Sequence, residues 1–253
     1  NEEHTAGVLL WRIRQLFGEM NRDFRILALD DASEDGTVEV LEPYSRVMPL
    51  TLLRNERREG RGQSLERLIR EVVKRSRYPK RDGLLMMQAD FTDGPEAIPE
   101  MLRHFQGGAD LVVARPADVH QAPRPIRAAR AGAGMLVRNL PLPEGVEDPL
   151  TGFRLYRLIV LKRALDGLDG ETPLIRHNGW AANVELLSAV TPYVRRSEQV
   201  DVMVDYSRRY RRSRFRPLPE LWSVFRASRE VRSESEFESA AGETTERRAV
   251  GGR

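Results

Sequence analysis

The sequence predicts an α/β domain whose mostly parallel sheet is flanked by helices, and three observations predict it. Arg25-Ile-Leu-Ala-Leu-Asp30 and Gly83-Leu-Leu-Met-Met-Gln-Ala-Asp90 are short apolar runs ending in carboxylates, as buried parallel strands do. Leu65, Leu68, Ile69, Val72 and Val73 recur at the spacing of one helical face. Strand and helix patterns then alternate at a spacing that suits right-handed βαβ units.

The elements follow in order. His4 to Met20 reads as a helix, because Val8, Leu9, Ile13, Leu16, Phe17 and Met20 form one apolar stripe. The strand ending at Asp30 comes next, and Ser33 is expected to cap a helix reaching Leu41. Leu50 to Leu53 is a second strand, followed by the helix of Leu65 to Val73. The strand from Gly83 leads to a helix start at Pro95, and Ala109-Asp-Leu-Val-Val-Ala114 is a further strand. Ser233 to Arg253 contains only Phe237 and Val250 as large apolar residues, so it is expected to be a disordered tail.

Composition removes several function classes. The 41 Lys and Arg nearly balance the 38 Asp and Glu, which argues against a histone-like nucleic-acid binder. Lys74, Lys80 and Lys162 are the lysines, and the other cationic residues are arginines, a bias that fits a GC-rich genome. Without cysteine there is no disulfide scaffold, zinc-thiolate site or thiol nucleophile. No run of about 18 apolar residues is present, so no segment reads as a membrane-spanning helix. The absence of a signal h-region fits a cytoplasmic protein, and fits a clipped sequence equally well.

Ligands of such sheets bind beyond the C-terminal strand ends, and three motifs fall there. Asp30-Asp31-Ala-Ser-Glu-Asp-Gly-Thr37 follows the first strand, Gly60-Arg61-Gly62 opens the helix after the second, and Gln88-Ala-Asp90-Phe-Thr-Asp93 follows the third. Each alone could be an ordinary turn or cap; their order and spacing as a set are more specific.

Together with Asn1-Glu2-Glu3, Val113-Ala-Arg115 and Asp148-Pro-Leu-Thr-Gly152-Phe153-Arg154, these motifs resemble the family-2 glycosyltransferases. The matching family segments are N-E-E, V-D-D-G-S-x-D-G-T, G-K-G, D-A-D-L-Q-D-P-P-E, G-S-R and D-x-x-S-G-F-R. The resemblance covers residues 1 to about 216 and is to the branch of polyprenol-phosphate sugar transferases that includes dolichol-phosphate mannose synthases. It implies a GT-A fold over residues 1–216. It also implies that the family's first strand would precede Asn1, so that the chain is expected to be a fragment with an opened, unstable sheet.

The resemblance implies a nucleotide-diphospho-sugar donor bound by Glu3, Asp30, Asp31, Gly60, Gly62, Gln88 and Asp90. It assigns a divalent cation, Mg²⁺ or Mn²⁺, to Asp90, with Gln88 where the family has its first metal-binding Asp. A neutral amide there predicts weak metal binding or a degenerate, non-catalytic nucleotide-binding module. A polyprenyl phosphate acceptor is assigned to Arg115, Arg127, Arg130, Arg209, Arg212, Ser213 and Arg214, with Asp90, Asp148, Arg115 and Arg127 at the reacting centre. Guanidinium forks suit phosphate oxygens. An ionised phosphate can attack directly, whereas a hydroxyl acceptor would need a base, for which Asp148 is available. Leu218, Leu221, Trp222 and Phe225 share a face of a helix over residues 217–232, trailed by Arg226, Arg229 and Arg232; this suits an anionic membrane surface on the cytoplasmic side, or packing on the domain.

Overall fold

The computed structural model describes residues 1–90, 92–117, 122–169, 172–203 and 216–250, with side chains described as far as 233. The helices are α1 (Ala6–Met20), α2 (Thr37–Leu41), α3 (Arg61–Arg75), α4 (Ile98–Gln106), α5 (Arg124–Val137), α6 (Leu158–Asp166), α7 (Gly179–Val190) and α8 (Pro217–Val250). The strands are β1 (Ile26–Asp30), β2 (Leu50–Arg54), β3 (Gly83–Met86), β4 (Leu111–Pro116), β5 (Arg154–Arg157) and β6 (Ser197–Val202).

The strands form two sheets. β1 and β2 pair in parallel, with Asp30 opposite Arg54 at their C-terminal ends. The second sheet has the order β3-β5-β4-β6, with β4 and β6 parallel and β5 antiparallel to both of its neighbours. The sheet system is therefore more mixed than the alternation of early strands and helices suggests. β5 and β6 have no clear sequence signal: β5 is four residues long, and β6 is polar except at Val200 and Val202.

Alternation along β4 builds the core on both faces. Leu111 and Val113 pack with Ile69 of α3, Leu161 of α6 and Leu186 of α7. Val112 and Ala114 point the other way, towards Leu9 and Ile13 of α1 and Ile98 and Met101 of α4. α1 also covers the small sheet, where Ala6 and Leu10 meet Leu41, Met48 and Leu50.

Several boundaries differ from the expected ones for local reasons. Ser33 does not cap α2; its hydroxyl accepts a hydrogen bond from the amino terminus of Asn1 at 3.0 Å. Asp35 serves the helix start instead, accepting from the Thr37 amide at 3.2 Å. β3 stops at Met86, because the Gln88 amide turns to the Asp93 carboxylate at 2.8 Å rather than to a strand.

α8 packs on α5 and α7, burying Val224, Ala227 and Ser228 next to Ala133, Val137 and Val184. Leu221 turns inwards with them, while Leu218 (79 % exposed) and Trp222 (62 %) remain outside. The apolar residues of the 217–232 segment are thus divided between two faces. The helix continues through residues whose composition suggests a disordered tail, ending at Val250. Glu, Ala and Arg there are good helix formers, a factor separate from the apolar burial on which that expectation rests. No helix among the described residues is long and apolar enough to cross a membrane.

Candidate active site

Asp30 is 7 % exposed. One carboxylate oxygen accepts from the Ser33 amide at 3.2 Å; the other, Oδ1, is buried without a hydrogen-bond partner. Asp31 is engaged instead, accepting from Asn55 Nδ2 at 2.8 Å and from the amides of Glu59 and Gly60 at 2.9 Å. Burial alone would raise its pKa, but the hydrogen bonds from Glu59, Asn55, Gly60 and Ser64 hold it below the ordinary carboxylate value. Glu3 accepts from the Gly36 amide at 2.8 Å, and its own amide donates to Asp35, so the first residues of the chain brace the β1–α2 loop.

The two glycines at the α3 entrance are explained by packing. A side chain at Gly62 would place Cβ 2.0 Å from the His177 carbonyl oxygen. Gly60 has φ +96°, and a Cβ there would lie 2.8 Å from Asn178 Oδ1. Asn178 Oδ1 also accepts from the Gly62 amide at 2.7 Å.

Past β3, the loop closes on itself. Asp90 Oδ1 accepts from both the amide and the hydroxyl of Thr92, at 3.0 and 2.5 Å. Arg61, the first residue of α3, lies in the field of Asp93, Glu220 and Asp90; its burial pulls the guanidinium below its ordinary pKa against their influence. In the sequence Arg61 stands out only as a departure from the family's lysine, yet its charge acts on Asp93 and Asp90 of this loop.

Two of the arginines expected to meet the acceptor, Arg115 and Arg130, have carboxylate partners. Arg115 bonds Asp201, its cross-strand neighbour, at 2.7 Å, and also pairs with Glu147. These bonds, Asp201 first, raise the Arg115 pKa and lower that of Asp201. Arg130 pairs with Asp148 in a mostly buried contact, and its guanidinium lies 5.7 Å from the Trp180 ring centroid. Asp148 Oδ1 also accepts from the Leu150 amide at 3.1 Å. Arg127 is exposed on α5. Arg209, Arg212, Ser213 and Arg214 lie outside the described residues.

Two further acidic groups come from α8. Glu220 accepts the Trp180 amide at the start of α7, and its burial raises its pKa despite that bond and Arg61. Glu230 joins His177 and Glu185 in a group whose ligand atoms lie within 4.8 Å of one another. His177 Nδ1 is 2.6 Å from Glu185 Oε1, and Glu185 Oε2 accepts the amides of Arg176 and His177. The sequence offers no metal-ligand spacing for this histidine.

The family model described as "Glycosyl transferase family 2" matches residues 1–165. The dolichol-phosphate mannosyltransferase of Pyrococcus furiosus is 25 % identical over 174 residues, covering 67 % of this chain and 46 % of that protein. The undecaprenyl-phosphate 4-deoxy-4-formamido-L-arabinose transferase of Edwardsiella ictaluri is 26 % identical over 170 residues, covering 65 % and 49 %. The chain thus spans about half the length of these two relatives. A prophage bactoprenol glucosyl transferase homolog of Escherichia coli is 21 % identical over 222 residues, covering 76 % of this chain and 69 % of that protein. Among solved structures, mannosyl-3-phosphoglycerate synthase from Rubrobacter xylanophilus shares the fold, with a TM-score of 0.63, 19 % identity and coverage of 93 % and 72 %.

Proposed function

Because the chain belongs to glycosyl transferase family 2, we propose that it moves a sugar from a nucleotide-diphospho-sugar to a polyprenyl phosphate at a membrane surface. The names of its relatives support the acceptor class. One structural observation carries the donor half: Asp30 keeps a buried carboxylate oxygen without a partner at the C-terminal end of β1. Such an atom suits an N–H or hydroxyl of a nucleoside, which would relieve its desolvation.

The reaction in this reading is a single displacement. An oxygen of the ionised acceptor phosphate attacks the sugar C1, the bond from C1 to the donor diphosphate breaks, and the nucleoside diphosphate leaves with the electron pair. The acceptor has no proton to lose, so no general base is required, and the configuration at C1 inverts. The Arg130–Asp148 pair favours this route over attack by a hydroxyl, because the Asp148 carboxylate serves to hold Arg130.

The residues present suit a hard cation, if weakly. Asp90 would contribute one carboxylate and Gln88 one amide oxygen, a donor set of the hard-oxygen type that suits Mg²⁺ or Mn²⁺. Held there, a divalent ion would offset the charge that develops on the leaving diphosphate. Arg61 adds fixed positive charge beside the same loop. Arg115, Arg127 and Arg130, with Arg209, Arg212, Ser213 and Arg214, are the residues proposed to receive the acceptor phosphate. Leu218 and Trp222, exposed on α8, are proposed to meet the cytoplasmic face of the membrane.

A second reading has two observations behind it. Position 88 is neutral and Asp90 is bonded to Thr92, as in a module that binds nucleotide without turnover. Incubation with radiolabelled nucleotide sugars, Mn²⁺ and either polyprenyl phosphate or sugar acceptors separates the readings. Label extracted with the polyprenyl phosphate supports transfer to lipid. Label on sugar acceptors alone supports hydroxyl attack, and nucleotide binding without any product supports the module.

A further inference from the structure

A buried polar network behind the Arg130–Asp148 pair is left without a role by the proposed reaction. Asn183 of α7 is 1 % exposed, a costly place for an amide unless all of its groups are bonded. Its Nδ2 donates to the Leu150 carbonyl at 2.7 Å, and its Oδ1 accepts from Arg61 Nη2 at 3.3 Å. Its backbone carbonyl accepts from Arg154 Nη1 at 2.8 Å. Arg154, wholly buried on β5, also donates to the Pro149 carbonyl at 2.7 Å. Two successive carbonyls of the loop that carries Asp148 are therefore held by side chains from α7 and β5.

Space at Gly152 completes the arrangement. A Cβ there would lie 2.4 Å from Arg61 Nη2 and 3.2 Å from Asn183 Oδ1. The Arg61 guanidinium reaches Asn183 because residue 152 has no side chain. The chain of contacts runs from the donor-side entrance of α3, through Arg61 and Asn183, to Leu150, whose amide bonds Asp148.

We propose that Asn183 is a positioning residue that sets the Asp148–Arg130 pair relative to the donor-side start of α3. The inference rests on the transferase reading given above. Asparagine suits the task because one short side chain both donates to Leu150 and accepts from Arg61. Aspartate, of the same shape, only accepts, and faces the Leu150 carbonyl with a second oxygen. Asn183 touches neither donor nor acceptor in this account; it acts through Asp148.

The test is steady-state transfer to polyprenyl phosphate by Asn183→Asp, Asp148→Asn and the double variant. Asn183→Asp is expected to lower kcat by roughly 10- to 100-fold, as small misplacements of reacting groups do. The donor KM should stay within about threefold, the signature of lost transition-state interactions. In the Asp148→Asn background the same substitution should bring no further loss, since the residues act as one unit. Gly152→Ala, which displaces the flexible end of Arg61, is the second variant, and should reproduce the fall in kcat if Asn183→Asp does not fold. Losses that multiply in the double variant, or an unchanged kcat in folded Gly152→Ala, overturn the inference alone. A wild-type chain that forms no glycosyl lipid overturns the transferase reading, and the inference with it.

Discussion

Asp31 accepts the backbone amide of Gly60 at 2.9 Å, joining the end of β1 to the residue before α3 across 29 positions of sequence. With Asn55 and the Glu59 amide bonded to the same carboxylate, this aspartate shapes the loop that enters the helix. Asp31→Ala should cost about 1–2 kcal/mol at neutral pH, discounted for partial exposure. Its folded pKa lies below the ordinary 3.8, so the stabilisation is complete above that value and is lost as pH falls through the folded pKa. Thermal melts at pH 7 and below pH 3.8 should show the wild-type advantage narrowing in acid.

Gly62 and the pair Gly18 and Gly134 differ in the sign expected for an added methyl. Gly62→Ala forces a new methyl against the His177 backbone carbonyl and should destabilise by about 2–3 kcal/mol. Gly18 in α1 and Gly134 in α5 would meet nothing within 4 Å of an added Cβ. Alanine at either helical position should stabilise by about 0.5–1 kcal/mol. Denaturant melts should therefore shift one way for Gly62→Ala and the other way for Gly18→Ala and Gly134→Ala.

Glu220 is a half-buried acid whose raised pKa means that the folded state holds its proton more tightly than the unfolded state. Stability is then lost as pH rises from the ordinary carboxyl value through the folded one. Glu220→Gln keeps an acceptor for the Trp180 amide and removes the charge. It should match or exceed wild type by about 0.5–1 kcal/mol at pH 7, after allowance for solvent, with the difference vanishing near pH 4. A variant less stable than wild type at pH 7 would show that the charge on Glu220, with Arg61, outweighs its burial.

How much of this is legible in the sequence depends on whether the determining contacts are local. β1 and β3 follow apolar runs that end in carboxylates, and that pattern locates Asp30, Asp31 and Asp90 at or just past strand ends. The partners of Arg115 and Arg130 are remote: Asp201 is 86 residues from Arg115, and Asp148 is 18 from Arg130. Counting charge finds the arginines, but only the fold shows which carboxylates meet them. Gly60 and Gly62 stand out as glycines, yet the reason, the approach of His177 and Asn178, lies in a distant loop. Asn183 reads, with Glu185 and Ser188, as one of three polar residues in a largely apolar helix, and its bonds to Arg61 and Leu150 have no local signal.

Position 88 tests the proposed cation directly. Replacing the amide in Gln88→Asp adds a charged oxygen next to Asp90, and ligand charge tunes the affinity of hard cations. Calorimetry with Mn²⁺ in the presence of a nucleoside diphosphate should show roughly tenfold tighter binding. An unchanged affinity would place position 88 outside the ligand shell.

The measurement closest to the central claim is the transfer of radiolabelled sugar from a panel of nucleotide sugars to polyprenyl phosphate, with Mn²⁺ present. The account predicts a labelled glycosyl phosphate lipid from at least one donor, with product formation reduced at least roughly tenfold by Arg130→Ala, whose guanidinium is proposed to meet the acceptor phosphate. Nucleotide binding without labelled lipid from any donor, or lipid product made equally well by Arg130→Ala, contradicts it.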